Sequence, residues 1–301
     1  MRVCNVAHVL WLSVALSLAA AEVGDGAYRT QIQKWREGYE ADLRKDNGWL
    51  TLAGLYWLRE GDNRFGSGPG NDIVLPQGSA PEVAGSFVFR EGKTRLVLNE
   101  GVSAQVNGVP VRNGIELRPD SAGKPDRITL GRLSMIVIHR GGRYAVRLWD
   151  NASYARSQFS GVRWFPVNEA YRVTAQFTSY PQPRMIPILN ILGDTEPTPS
   201  PGYATFELAG KQCHLEPLAE GDRLFFIFKD LTNAKQTYPA GRFLYSNPPK
   251  DGKVALDFNQ AINPPCAFTD FATCPLPPKQ NYLTVAVPAG ELNHKHATGS
   301  H

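Results

Sequence analysis

Turn-forming residues recur so often in this chain that they limit the length of any helix or strand. Glycine (28) and proline (23) together make up about one residue in six. From residue 59 onward, pairs that favour tight hairpin turns separate short apolar stretches, about ten residues apart. These pairs are Glu91-Gly92, Asn107-Gly108 and Gly141-Gly142. The spacing predicts a sandwich of antiparallel strands over residues 59–155.

A second set of short apolar stretches follows the first, at residues 171–177, 203–208, 224–228 and 254–258. The polar, proline-containing residues 189–201 between them predict a surface loop. Hydrophobic residues make up 42% of the chain and charged residues 20%, which excludes a disordered protein. We therefore predict a mainly β fold with a second antiparallel β domain over residues 156–293 and a tail at residues 294–301.

An amphipathic helix is predicted ahead of the β-rich part, in an N-terminal segment of residues 22–58. Apolar and aromatic side chains recur there every three or four residues, which places them on one helix face. They are Tyr28, Ile32, Trp35, Tyr39 and Leu43. Asn47-Gly48 is a suitable end for this helix, because both residues tolerate the left-handed backbone conformation.

Residues 1–21 have the order of parts that is typical of a secretory signal peptide. Arg2 precedes an apolar stretch at residues 9–18, and small residues follow it. A membrane-spanning helix needs roughly 20 apolar residues, and this stretch is half as long. The sequence predicts cleavage near Ala21 and export to the periplasm or the medium, with no transmembrane segment in the mature chain.

Three cysteines remain after that cleavage: Cys213, Cys266 and Cys274. In an oxidising compartment, the short stretch between Cys266 and Cys274 favours a disulfide between them. A zinc site formed by the three cysteines and His214 is the alternative, but the spacing lacks the paired ligands of known zinc sites. We predict the disulfide, no metal and no cofactor.

Residues 61–150 resemble the forkhead-associated β-sandwich. The resemblance rests on GDNRFGSGPGNDIVLP at residues 61–76, VNGVPV at 106–111 and ITLGRLSMIVI at 128–138. Members of that family bind phosphothreonine through a Gly-Arg pair, a Ser-x-x-His motif and an Asn-Gly turn. Asn107-Gly108 matches the turn, whereas Ser67 stands where the arginine is expected and neither Ser79 nor Ser86 is followed by the histidine. The resemblance implies the fold without phosphopeptide binding.

The whole mature chain also resembles a bacterial family known only as domain of unknown function 1684. The segments that carry this resemblance are GWLTLAGLYWL at residues 48–58, RLWD at 147–150, KDLTNAKQTYPAGRFLY at 229–245 and LDFNQAINPPCAFTDFATCPLPPKQN at 256–281. The last segment is long and unusual, which makes the match specific. The resemblance implies an exported, mostly β protein and no particular activity.

A proline-rich stretch at residues 257–278, together with polar residues upstream of it at 230–242, holds the densest group of candidate site residues. Prolines restrict their own backbone and that of the preceding residue, so this stretch is expected to be rigid. The candidate ligand-binding residues are Asp230, Thr232, Tyr238, Arg242, Asp257, Asn259, Asn263 and Asn281. In a catalytic interpretation, Asp257 or Glu291 is the general base and Arg242 holds an anionic group. In a structural interpretation, the same groups satisfy each other and the buried backbone.

Basic residues are dense over residues 139–172, and Arg143 and Arg147 alternate onto one strand face. With Arg163, they suit an anionic envelope glycan or phosphate, or they form ion pairs with nearby acids. The net charge of +4 is too small and too dispersed to indicate a nucleic-acid partner.

We predict an exported binding or structural module of the cell envelope that takes a glycan or a small anionic ligand. The alternative is a hydrolase-type enzyme with a polar site around Arg242, Asp257, Asn259 and Asn263. The sequence leaves the ligand and the oligomeric state open.

Overall fold

The computed structural model describes residues 9–111 and 114–294, with only the backbone for residues 9–25. Helices are few: α1 (Val9–Arg44) and the one-turn α2 (Tyr154–Ser157). Residues 1–8 of the predicted signal peptide and residues 295–301 of the predicted tail lie outside the described residues, and residues 9–21 begin α1. In the described part of the chain, no helix is long and apolar enough to cross a membrane.

The predicted amphipathic helix is confirmed over residues 28–44. Tyr28, Ile32 and Leu43 are buried, as their spacing along one helix face requires. The chain leaves the helix through Asn47, which has the left-handed backbone conformation (φ 59°). Gly48 then donates its backbone N–H to the Lys45 carbonyl at 2.9 Å, which closes the turn.

Among the described residues, eleven strands form the N-terminal β unit, which we call the sandwich. They are β1 (Leu52–Trp57), β2 (Gly61–Gly66), β3 (Ile73–Val74), β4 (Gly85–Arg90), β5 (Lys93–Leu98), β6 (Gln105–Val106), β7 (Val109–Pro110), β8 (Ile115–Leu117), β9 (Ile128–Leu130), β10 (Leu133–Arg140) and β11 (Arg143–Asp150). One sheet has the order β1-β11-β10-β9-β6-β7, and the other has the order β3-β2-β4-β5-β8. Side chains from both sheets, including Phe65, Phe87 and Met135, form one buried core.

The predicted hairpin turns are confirmed. Glu91-Gly92, Asn107-Gly108 and Gly141-Gly142 each have two consecutive positive φ angles. That geometry matches the twist of paired antiparallel strands, so the turns join β4 to β5, β6 to β7 and β10 to β11.

Seven strands form the second β unit, which we call the C-terminal unit. They are β12 (Arg172–Leu189), β13 (Thr195–Leu208), β14 (Lys211–Leu215), β15 (Leu218–Glu220), β16 (Arg223–Phe228), β17 (Arg242–Ser246) and β18 (Lys253–Asp257). Four of them pair in the order β14-β13-β12-β18 and three in the order β15-β16-β17. Phe206, Phe226 and Leu256 lie in the core between these sheets. The predicted mainly β fold with a second antiparallel β domain is therefore confirmed.

The prediction of a loop over residues 189–201 is wrong for most of that stretch. Strand β13 begins at Thr195, and Pro197 and Pro199 pair with Pro187 and Met185 of β12. Proline is tolerated here because β14 pairs only with residues 204–208, which leaves this end of β13 as a sheet edge.

The chain after β18, residues 258–292, has no long element, and we call it the C-terminal segment. It contains three of the short 3₁₀ helices among the described residues. All six are Trp49–Thr51, Asp120–Ala122, Glu169–Tyr171, Phe258–Gln260, Pro265–Ala267 and Lys279–Asn281. The segment contributes Leu283, Val285 and Val287 to the core of the C-terminal unit. This segment is thus largely buried, and its rigidity stays a prediction.

The two β units meet in a third apolar cluster. The outer face of the sandwich contributes Ile138 and Trp149, and the three-stranded sheet contributes Phe225 and Phe243. Cys274 of the C-terminal segment lies in the same cluster. This interface positions the candidate site described below.

Candidate functional site

Arg242 is fully buried and paired with a carboxylate. Its Nη2 donates to Asp230 at 2.7 Å and to the Val287 carbonyl at 2.9 Å, and its Nη1 donates to the Ala289 carbonyl. Thr232 donates its backbone N–H and its hydroxyl to Asp230 at 2.8 and 2.6 Å. Burial lowers the pKa of Arg242, and the Asp230 charge opposes that shift. This network ties β17 to the C-terminal segment.

Asp257 and Asn259 hold helix α1 on the C-terminal unit. The Tyr28 hydroxyl donates to both Asp257 oxygens, at 2.8 and 2.9 Å. Asn259 donates to the Tyr28 hydroxyl and to the Asn168 carbonyl, each at 2.9 Å. Burial raises the pKa of Tyr28, and the neighbouring Asp257 adds to the shift.

Asn263 and Glu291 form a third network. Asn263 donates its backbone and side-chain N–H groups to the two Glu291 oxygens, each at 2.8 Å. The Tyr39 hydroxyl donates to the same carboxyl group at 3.1 Å. Burial raises the pKa of Glu291 to about 8, although these hydrogen bonds act in the opposite direction. Glu291 is therefore mostly protonated at pH 7 and has no exposed surface.

The last two predicted residues also contact the backbone. Asn281 donates to the carbonyls of Glu216 and Ile227, each at 2.9 Å. The Tyr238 hydroxyl donates to the Cys266 carbonyl at 3.1 Å, and burial raises its pKa to about 12. The eight predicted ligand-binding residues thus lie in separate hydrogen-bonded networks, and as one binding site they stay a prediction.

The predicted disulfide is wrong, since Cys213, Cys266 and Cys274 are all buried free thiols. The chain does fold back so that Cys266 and Cys274 are neighbours, as their spacing indicated. However, the Cys266 backbone N–H donates to the Cys274 sulfur at 3.1 Å, and the Cys266 thiol donates to the Ala272 carbonyl at 3.6 Å. Both groups are thereby accommodated as thiols in an apolar cluster.

The alternative zinc ligands are not assembled either. Cys213 belongs to the core of the C-terminal unit, whereas Cys266 and Cys274 belong to the interface cluster. Over residues 9–111 and 114–294, no group of three or more His, Cys, Asp or Glu side chains is placed to hold a metal ion.

A cleft of about 690 Å³ lies where the two β units meet, and we call it the interface cleft. Strands β10 and β11 form one wall, the β12–β13 hairpin a second, and the three-stranded sheet with the C-terminal segment a third. Tyr39 of α1, Trp49 and Asp120 also line the cleft. Its charged lining side chains are Asp120, Arg140, Arg147, Glu196 and Glu220. Among the predicted ligand-binding residues, only Asn263 lines it.

Arg147 is the buried cation of this cleft. It is 8% exposed, and its Nη2 donates to the Thr273 hydroxyl at 3.2 Å. Its Nε has no hydrogen-bond partner. Among the described residues, Arg147 forms no ion pair, because the nearby Asp120 is paired with Arg140 at 2.8 Å. Burial lowers the pKa of Arg147 to about 10, which leaves it charged at neutral pH.

The opposite part of the cleft is aromatic. The Phe225 and Phe243 rings pack edge to face with centroids 4.8 Å apart. Tyr245 stacks on Phe225 at 4.8 Å with an interplanar angle of 13°. The cleft therefore combines one guanidinium outside any ion pair with an aromatic wall, an arrangement that is typical of small-molecule sites.

The sequence grouped Arg147 with two other arginines that the structure separates from it. Arg143 pairs with Asp194 at 2.8 Å, and Arg163 donates to the Asn293 carbonyl at 3.0 Å. The position of Arg147 along its strand was the sequence signal that could have identified it as a site residue. Alternation places it on the face that carries Ala145 and Trp149, where a charged side chain is unexpected.

Comparison with known proteins places the C-terminal unit in a family. Residues 157–292 match the family described as protein of unknown function (DUF1684). An uncharacterized protein of Haloarcula marismortui, solved by NMR, is 35% identical over 46% of this chain and 78% of its own, with a TM-score of 0.39. The chain belongs to the DUF1684 family. The matched residues include the C-terminal segment but not the sandwich, so the match is narrower than the whole-chain resemblance predicted from sequence.

Forkhead-associated (FHA) domains are among the solved structures to which part of this DUF1684 protein is similar. One, from a structure of phosphothreonine-dependent FHA interactions, is 19% identical over 32% of this chain and 92% of its own, with a TM-score of 0.23. The FhaA FHA domain, solved with the intracellular domain of another protein, is 20% identical over 31% and 96%, also with a TM-score of 0.23. No curated protein matches the chain.

Proposed function

We propose that this DUF1684 protein is a binding protein whose interface cleft takes a small organic acid with one negative charge. The single observation that carries the proposal is Arg147, a buried cation without an ion-pair partner in the described part of the chain. An unpaired buried charge is costly, by several kcal/mol. A carboxylate that reached the exposed part of its guanidinium and the Thr273 hydroxyl would offset that cost with charge-assisted hydrogen bonds.

The other charges of the cleft favour a single negative charge on the ligand. Arg140 is already neutralised by Asp120, and Glu196 and Glu220 line the same cleft. One guanidinium is therefore available, and a multiply charged anion would be repelled by the remaining carboxylates. The Phe225, Phe243 and Tyr245 rings favour an apolar, preferably aromatic, body on the ligand.

We further propose that the protein acts outside the cytoplasm. Support comes from the charge, apolar stretch and small residues of positions 1–21, which have the order of a signal peptide. Fusion of residues 1–25 to a reporter that is active only after export tests this. The fusion should be active, and replacement of Val14 by Arg, in the middle of the apolar stretch, should abolish its activity.

Binding rather than hydrolysis is proposed because of where the predicted catalytic groups lie. Arg242, Asn259 and Glu291 have no exposed surface. Asp257 lies in a different network from Asn263, and only Asn263 lines the interface cleft.

Thermal shift with 3-phenylpropionate as the probe tests the proposal. The wild type should be stabilised, by roughly 2.7 kcal/mol at a hundredfold excess over Kd. Arg147→Met should lose this response while the ligand-free protein keeps or gains stability, because a buried unpaired charge is removed. Arg143→Gln, on the same strand face but exposed, is the matched control and should respond like the wild type. An equal response of Arg147→Met and wild type would overturn the proposal.

A further inference from the structure

A second cleft, of about 530 Å³, lies on the other side of Tyr245, whose ring lines both clefts. Its floor is the outward face of β12 and β18, where Thr174 pairs with Ala255. Helix α1 forms one wall through Tyr28 and Trp35. We call it the basic cleft, for the side chains described next.

Four cations line the basic cleft: Arg172, Arg223, Lys250 and Lys253. Among the residues that the structure describes, none of them forms an ion pair within 4 Å. The carboxylate in the lining is Asp257, which already accepts hydrogen bonds from Tyr28 and Asn259. Glu220, the cross-strand partner of Arg223, lines the interface cleft. The four cations of the basic cleft therefore outnumber the carboxylates beside them, Asp257 and Glu220.

Aromatic rings hold the two arginines in place. The Arg172 guanidinium lies 4.9 Å from the centre of the Tyr28 ring, and the Arg223 guanidinium lies 4.4 Å from the centre of the Tyr245 ring. Such contacts restrict the side chains before a ligand arrives, which lowers the entropy cost of binding. They also cover those ring faces, which leaves them unsuited to stacking on a nucleobase.

We propose that the basic cleft binds a multiply charged phosphate group such as a diphosphate. Guanidinium groups match phosphate oxygens with paired hydrogen bonds, and the lysines add charge without a fixed geometry. The two clefts differ in charge. The interface cleft has one cation outside an ion pair and several carboxylates, whereas the basic cleft has four cations and the carboxylate of Asp257.

Calorimetric titration with inorganic pyrophosphate tests the proposal. One molecule should bind per chain, and Arg172→Gln and Arg223→Gln should each weaken binding by about tenfold, the loss of one charge-assisted contact. Lys93→Gln removes the same charge from an exposed position on β5 of the sandwich and should leave the affinity unchanged. Arg147→Met should also bind normally, which separates this test from that of the interface cleft.

Vesicles distinguish the source of the phosphate group. If the protein sediments with phosphatidate vesicles and pyrophosphate abolishes this sedimentation, the ligand is a lipid headgroup. If the protein binds pyrophosphate but does not sediment with the vesicles, the ligand is a soluble phosphate ester. Absence of pyrophosphate binding at millimolar concentration, or equal weakening in Lys93→Gln, would overturn the proposal. The proposal would also be overturned if a single-stranded oligonucleotide bound more tightly than pyrophosphate and if both arginine variants kept that affinity.

Discussion

Arg147 of the sandwich and Thr273 of the C-terminal segment are joined by a hydrogen bond of 3.2 Å between Nη2 and Oγ1. The contact spans the interface between the two β units and leaves the Arg147 Nε free. The cation of the interface cleft is therefore positioned by both units. Ligand binding and docking of the two units are expected to depend on each other.

The buried pair of Arg242 and Asp230 should be essential for stability. Asp230→Asn leaves a fully buried guanidinium without its counter-charge, which should cost about 3–5 kcal/mol of unfolding free energy. Asp46→Asn breaks an exposed pair with Arg156 and should cost less than about 1 kcal/mol. Urea denaturation measures both, and similar losses in the two variants would contradict the structural role given to Arg242.

Helix α1 should depend on the Tyr28 hydroxyl. Tyr28→Phe removes the donor to Asp257 and the acceptor of Asn259, and should cost about 1–3 kcal/mol. Asp257→Ala removes the acceptor of the same hydrogen bond and should lower the unfolding free energy, while the protein still binds 3-phenylpropionate. Tyr154→Phe, at an exposed tyrosine, is the control for chemical denaturation. A loss of ligand affinity at unchanged stability in Asp257→Ala would instead favour a site at Asp257.

Glu291 should make stability depend on pH. Its pKa is raised from 4.5 to about 8 in the folded protein, so the folded state binds this proton more tightly than the unfolded chain does. Stability is therefore lost as pH rises from the unfolded value toward about 8, by up to about 1.4 kcal/mol per pH unit.

Glu291→Gln removes that titration and isolates it from other groups. The stability of the variant relative to wild type should increase between pH 5 and 8 (the interval set by the two pKa values) and level off above it. Unfolding by urea across this range measures the difference. A difference that is constant with pH would show that Glu291 ionises normally in the folded protein.

Alkylation of the cysteines tests whether all three are free thiols, as the structure shows. In denaturant without reductant, every cysteine of the purified chain should be alkylated, whereas the native protein should react slowly because Cys213, Cys266 and Cys274 are buried. Mass spectrometry counts the modified residues. If two cysteines could be alkylated only after reduction, the protein would contain a disulfide.

Local sequence patterns were sufficient for much of the fold. Both residues of Gly141-Gly142 tolerate positive φ, so the hairpin of β10 and β11 could be predicted from the turn alone. The residues before β14 show the limit of such rules. Pro197 and Pro199 indicate a loop, yet they lie in β13, because proline is excluded from a strand only where its missing N–H would pair with a neighbour.

The candidate site was less predictable because its partners are distant in sequence. Arg147 and Thr273 are separated by 126 positions, and Tyr28 and Asp257 by 229. Cys266 and Cys274 are neighbours, as their spacing indicated, but they are free thiols, which the spacing did not reveal. A charged residue on an apolar strand face was the one local signal of the interface cleft.

The Nε–H resonance of Arg147, assigned by its loss in Arg147→Met, shows directly whether a carboxylate binds in the interface cleft. During titration with 3-phenylpropionate, this resonance should shift and saturate, because a carboxylate binds beside the same guanidinium. Saturation should occur at the Kd that thermal shift gives. An unmoved Arg147 resonance at saturating ligand, with shifts only at other arginines, would contradict the account.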